Sequence, residues 1–173
     1  MHKFTTESLS FLAEKWGHIL EGAAGADLIG VNRATMRTRI AKGQAMAMRD
    51  TEGRERGRVE YTPQHLVYNI LYDGLARFNA VPDEEHAREW IFMAVEGFYQ
   101  DLRNGSFNEA TVVRSIKRDG KVSLQLYDNF NEIEQFTGEP CVAVPIGTMI
   151  VRLAGALFMK HSIMDASMAL NAE

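Results

Sequence analysis

Cysteine is nearly absent from the 173 residues: Cys141 stands alone, so no disulfide forms within the chain and no cysteine-rich zinc site can be assembled. A reducing cytoplasm is the expected setting, and the thiol, beside Pro140 and among apolar residues, reads as inert buried packing. Long apolar runs are missing too. The longest, 149–159, is broken by Arg152 and falls short of the ~20 residues that cross a bilayer. The first six residues are mostly polar and lead into an amphipathic segment, so neither a secretory signal nor a membrane partner is expected. Internal repeats and low-complexity tracts are also lacking.

Paired chemistry is missing as well. His2, His18, His65, His86 and His161 are scattered, none with a second histidine three or four residues away, so no metal site is expected. Gly22, Gly25 and Gly30 follow no strand and make no phosphate-cradling loop. The run Asp83-Glu84-Glu85-His86 suits the positive end of a helix better than a catalytic site. No nucleophile stands at usable spacing from a base, so neither enzymatic activity nor a cofactor is expected.

What the chain does have is ordinary globular apolar content, 46%, and an uneven charge distribution. The formal charge is −4, yet residues 31–60 hold eight basic and four acidic side chains, while 81–173 hold eight basic and fourteen acidic. A basic segment in an acidic chain is what a protein with one polyanion-binding face shows.

Apolar spacing predicts an amphipathic helix over 6–21 with Leu9, Phe11, Leu12, Trp16, Ile19 and Leu20 on one stripe. Two short helices follow, 23–29 and 33–42, separated by Gly30-Val31-Asn32, with Asn32 as N-cap and Gly43 as the stop. Residues 45–48 and 58–61 are strand-compatible and flank a polar turn, 49–57, a hairpin with a basic tip. Thr62-Pro63 opens a further helix through Leu66, Ile70, Leu71, Leu75 and Phe78. Pro82 and the acidic run open another, carrying Trp90, Ile91, Ala94, Phe98 and Leu102 to Asn104-Gly105. That stripe suits either a dimer seam or packing on the C-terminal part. Then come a hairpin, 111–116 and 121–127, a weak helix over 128–136, a strand at 141–144 and an apolar helix over 147–163. The expected fold class is mainly α with small β hairpins (α+β), divided into a winged helix-turn-helix with an extra N-terminal helix over 1–81 and a dimerisation or regulatory module over 82–173.

Reading duplex DNA takes a short helix set into the major groove by a second one, with cations for the phosphates. With Met36 and Ile40 turned inward, Ala34, Thr35, Thr38 and Lys42 face away, flanked by Arg37 and Arg39. Short residues allow close approach to base edges, and an arginine can bind guanine or phosphate in two-pronged fashion. Arg54, Arg56 and Arg58 at the hairpin tip would lie on the DNA backbone.

The run Ala26-Asp27-Leu28-Ile29-Gly30-Val31-Asn32-Arg33-Ala34-Thr35-Met36-Arg37, then a basic wing and the helix start Arg58 to Pro63, resembles the helix-turn-helix of the MerR superfamily over roughly 22–81. The resemblance implies a winged-helix domain acting as a homodimer on an inverted repeat, with Arg33, Thr35, Arg37 and the wing arginines at the DNA. The chain departs from that pattern in having Thr38-Arg39 where the family places aromatics, and in its extra first helix. The expected function is a sequence-specific DNA-binding transcription regulator, cytoplasmic and homodimeric, with double-stranded DNA as partner. A protein partner or small effector would act at the C-terminal module. The alternatives are a phage or mobile-element architectural or adaptor protein and, last, a small enzyme.

Overall fold

The computed structural model describes residues 3–19, 28–49, 59–77, 80–81, 84–119, 121–134 and 141–170. Its elements are α1 (Lys3–Glu14), α2 (Arg33–Ala41), β1 (Met48–Arg49), β2 (Val59–Glu60), α3 (Pro63–Ala76), α4 (Glu84–Asn104), β3 (Val112–Arg118), β4 (Lys121–Tyr127), α5 (Phe130–Glu134), β5 (Cys141–Val144) and α6 (Ile146–Leu170). The class is α+β, as expected.

Capping chemistry sets the boundaries of the central helices. The Asn32 side chain accepts from the Ala34 N–H at 2.7 Å, satisfying a donor that the first turn of α2 leaves unpaired. At the start of α3, Thr62 Oγ1 accepts from the His65 N–H at 3.3 Å and His65 Nδ1 accepts from the Thr62 N–H at 3.2 Å, with Pro63 in the first turn. His65 takes the position a glutamate or glutamine usually fills in this reciprocal cap, and it can accept only while Nδ1 is unprotonated.

Burial pushes the His65 imidazole below its ordinary value near 6.5. The unfolded chain therefore takes up this proton at higher pH than the folded one. The contribution of His65 is complete above about pH 6.5 and is lost as the pH falls below it. Thermal melts between pH 7.5 and 5 should show a fall in midpoint that His65→Gln, which keeps an uncharged acceptor, removes. An identical fall in both proteins would refute this role.

Two elements differ in extent from the sequence expectation. The first helix begins at Lys3 and ends at Glu14 rather than near residue 21, its last apolar contact coming from Trp16 in the following turn. Trp16 is buried and stacks on Tyr99 of α4 at 5.1 Å, so tertiary packing, not helical continuation, covers its ring; Ile19 is exposed. The last helix runs 25 residues instead of 17. By length and composition alone, 146–163 could cross a membrane, although the apolar run within it is short. Its Ile146, Ile150, Leu153, Ala154 and Leu157 are buried in the core.

The antiparallel sheet has the order β4-β3-β5. Val113 pairs with Leu126 and Val144, and Ser115 with Leu124 and Val142, which puts these residues on one face. Val113, Leu124, Val142 and Val144 from that face join the helical core, while Ser115 Oγ donates to the Ala80 carbonyl at 3.1 Å. Cys141, on the opposite face at the edge strand, is exposed, which corrects the expectation of a buried thiol: among the described residues β5 pairs with β3 alone, and its outward face is not covered by the helical core.

The core does not divide at residue 81. One apolar cluster runs from Leu9, Leu12 and Trp16 through Met36, Leu66 and Leu71 to Ile91, Phe98, Ile150 and Leu157. α1 lies mainly along α6, with Phe11 edge-on to Phe158 at 5.7 Å. The α4 stripe expected as a possible dimer seam is spent inside the chain: Ile91, Ala94, Phe98 and Leu102 are all buried.

Candidate nucleic-acid interface

α2 is a nine-residue helix entered through a sharp turn and left through another. Gly30 has φ +68° and Gly43 φ +69°, conformations that side-chain-bearing residues rarely adopt. The Gly43 N–H closes the C-terminal end on the Ile40 carbonyl at 3.0 Å. Met36 is the anchor, fully buried, with Val31 buried just ahead of the helix and Ile40 half-buried one turn on. Of the expected preceding helix, 23–29, residues 23–27 lie outside the described residues, and Leu28 leads into the turn at Ile29-Gly30.

The face opposite Met36 is open to solvent. Ala34, Thr35, Arg37, Thr38 and Lys42 are all exposed. Thr38 Oγ1 donates back to the Ala34 carbonyl at 3.1 Å, which leaves its methyl and hydroxyl lone pairs outward. Arg33 lies at the first position of the helix.

Arg39, expected to flank this face, turns instead toward α3. Three residues after Met36, it shares the flank that packs toward α3. Its Nη1 meets Asp73 Oδ1 at 2.7 Å, and its side chain is only 23% exposed. Asp73, 8% exposed, also accepts from Arg77 Nε at 2.7 Å. Two arginines thus compensate one carboxylate withdrawn from water, the condition under which a buried charge persists.

The same face of α3 holds the segment after α2. Asn69, 2% exposed and four residues before Asp73, accepts from the Met46 N–H at 2.8 Å and donates Nδ2–H to the Met46 carbonyl at 3.0 Å. One amide thereby pairs both backbone groups of Met46, as a neighbouring strand would. Just beyond, β1 and β2 pair antiparallel, Met48 with Glu60 and Arg49 with Val59. Arg54, Arg56 and Arg58 lie outside the described residues.

Sequence reasoning missed Asn69 and Asp73. The signal was present: two polar residues at i, i+4 in the otherwise apolar stretch of α3, where each must find a buried partner. Among the described residues no three His, Cys, Asp or Glu side chains gather into a group able to hold a metal. Set against known proteins, the chain matches no family model and no curated protein.

Proposed function

We propose that the chain is a sequence-specific DNA-binding transcription regulator that reads duplex DNA with α2 and grips the flanking backbone with the hairpin of β1 and β2. The observation that carries this reading is the outward face of α2. It is a capped helix between two glycine turns, anchored by Met36, with short residues at 34, 35 and 38 and exposed cations at Arg37 and Lys42 that form no ion pair among the described residues. Helix, hairpin and supporting helix follow one another in the order of a winged helix, which supports the resemblance to the MerR superfamily. The segment 31–60 adds a net positive charge of four to this part of an acidic chain.

In this reading Arg37 makes the two-pronged contact with a guanine or phosphate, Thr35 and Thr38 meet base edges, and Arg33 and Lys42 bind phosphates at the ends of the helix. Arg39 is a positioning residue, holding α2 on α3. Two copies on an inverted repeat, acting in the cytoplasm and without enzymatic activity, complete the proposal.

A salt titration of binding to random and genomic duplexes tests it. Affinity for every duplex should fall steeply with salt, by about 0.9 logarithmic units per decade for each phosphate contact, while a selected site keeps a fixed advantage over random sequence. A salt-insensitive interaction would end the DNA reading. A salt-sensitive one with no preferred sequence would favour the architectural role instead.

A further inference from the structure

Beside the connection from α2 to β1 is a cavity of about 530 Å³ that duplex reading does not use. This is within the range of small-molecule pockets, ~300–1,000 Å³. Ala45, Met46 and Ala47 form one side, Tyr68 of α3 another, and Phe92 of α4 stands at the mouth. Tyr68 is 2% exposed, whereas Phe92 leaves 44% of its surface in water over the hollow. An apolar ring half-open above an apolar void gains contact if a flat molecule enters.

The polar groups are few and unequal. Arg88, one turn before Phe92, lays its guanidinium against Gly43, close enough that a Cβ there would collide with it. Among the described residues no carboxylate forms an ion pair with Arg88. Glu89 brings one negative charge to the rim. Burial raises the Tyr68 hydroxyl above its ordinary range, so that wall stays uncharged.

We infer that this cavity binds a small aromatic monocarboxylate, its ring against Phe92, Met46 and Tyr68 and its carboxylate on Arg88. A planar guanidinium pairs a carboxylate with two parallel hydrogen bonds, which fixes orientation as well as charge. The apolar walls require a hydrocarbon body, and Glu89 disfavours a second negative group.

Occupancy has a mechanical consequence. The ligand would rest on Gly43 and residues 45–47, the one connection between α2 and the hairpin, whose middle residue Asn69 clamps on both sides. A molecule wedged there shifts the angle between α2 and β1, and any effect on duplex affinity must be matched by an equal effect of duplex on ligand affinity. This second step rests on the reading of α2 as the duplex-reading helix.

The test uses the full chain without DNA, with 1-naphthoate and its neutral counterpart 1-naphthamide as probes, followed by calorimetry and by backbone amide resonances. Naphthoate should bind with its largest resonance shifts at Ala45, Met46 and Ala47, and naphthamide should bind about 10-fold more weakly, the loss of one charge-assisted pair. Arg88→Gln, at an exposed position, should erase that difference, and Ala47→Phe, which fills the hollow, should weaken both probes. Absence of naphthoate binding, shifts centred elsewhere, or equal naphthoate affinity in Arg88→Gln would overturn the site. Saturating naphthoate should change the duplex dissociation constant by about fivefold or more. An unchanged value overturns the coupling while the pocket stands, and a chain that binds naphthoate but no duplex overturns the reading of α2 alone.

Discussion

Under the proposed function, Arg37→Ala should lower affinity for the selected duplex by about 5- to 150-fold, the ~1–3 kcal/mol a two-pronged arginine contact provides, and should leave the unfolding midpoint unchanged. Arg37 is exposed on α2 and makes no ion pair among the described residues, so its removal disturbs nothing in the fold. Arg39→Ala has the opposite profile. It leaves Asp73, 8% exposed, with Arg77 alone, whose own side chain is 65% exposed and free to sample water. Removing one partner of a fully buried pair costs ~3–5 kcal/mol. With Arg39 itself 23% exposed and Arg77 remaining, about 2 kcal/mol is expected, or roughly 4–8 °C in the midpoint for a chain of this size. Fluorescence anisotropy and thermal melts on the two variants separate the roles. If Arg39→Ala melts like the parent and loses duplex binding, while Arg37→Ala binds normally, the assignment of the two arginines is inverted.

Met36→Ala should destabilise the chain by about 3 kcal/mol, within the range for truncating a fully buried methionine or leucine. Met36 is 0% exposed and is the one fully buried side chain among the described side chains of α2, with Ile40 only half-buried beside it. The loss therefore falls on the attachment of this short helix rather than evenly over the core. Amide exchange over Arg33–Ala41 should accelerate more than that over α3 or α4, because a nine-residue helix has little stability of its own. Met36→Leu, of similar volume, should recover most of the stability. A loss under 1 kcal/mol in denaturant titration, or uniform exchange across the molecule, would show that α2 is held by something else.

Local chemistry made much of this molecule legible before any coordinates. Asn32 and Gly43 bracket α2 because a side-chain acceptor and a left-handed turn are needed within a residue or two of a helix end. Thr62-Pro63 opens α3 for the same reason, and Asp119, with φ 49°, lies between β3 and β4, the hairpin expected from 111–116 and 121–127. The exposed face of α2 followed from the spacing of Met36 and Ile40 alone.

Long-range neighbours could not be inferred in this way. Spacing made Arg39 a flanking cation free to meet DNA; Asp73, 34 positions along the chain, draws it onto α3. A boundary at residue 81 suited the local pattern, yet α1 lies on α6 and merges the halves into one core, because amphipathic faces specify that they must be covered without specifying by what. The stripe on α4 was equally suited to a partner or to its own chain, and Ile91, Ala94, Phe98 and Leu102 turned out to be covered from within. By itself, then, the sequence determined where the capped central helices α2 and α3 begin and which side of them is apolar, since caps, turns and periodicity act over four residues or fewer. The tertiary structure alone decided that Arg39 turns to Asp73, how Asn69 seats the connection between α2 and β1, and that Arg88, without an ion-pair partner among the described residues, stands over a hollow beside it, since each depends on groups brought together from distant parts of the chain.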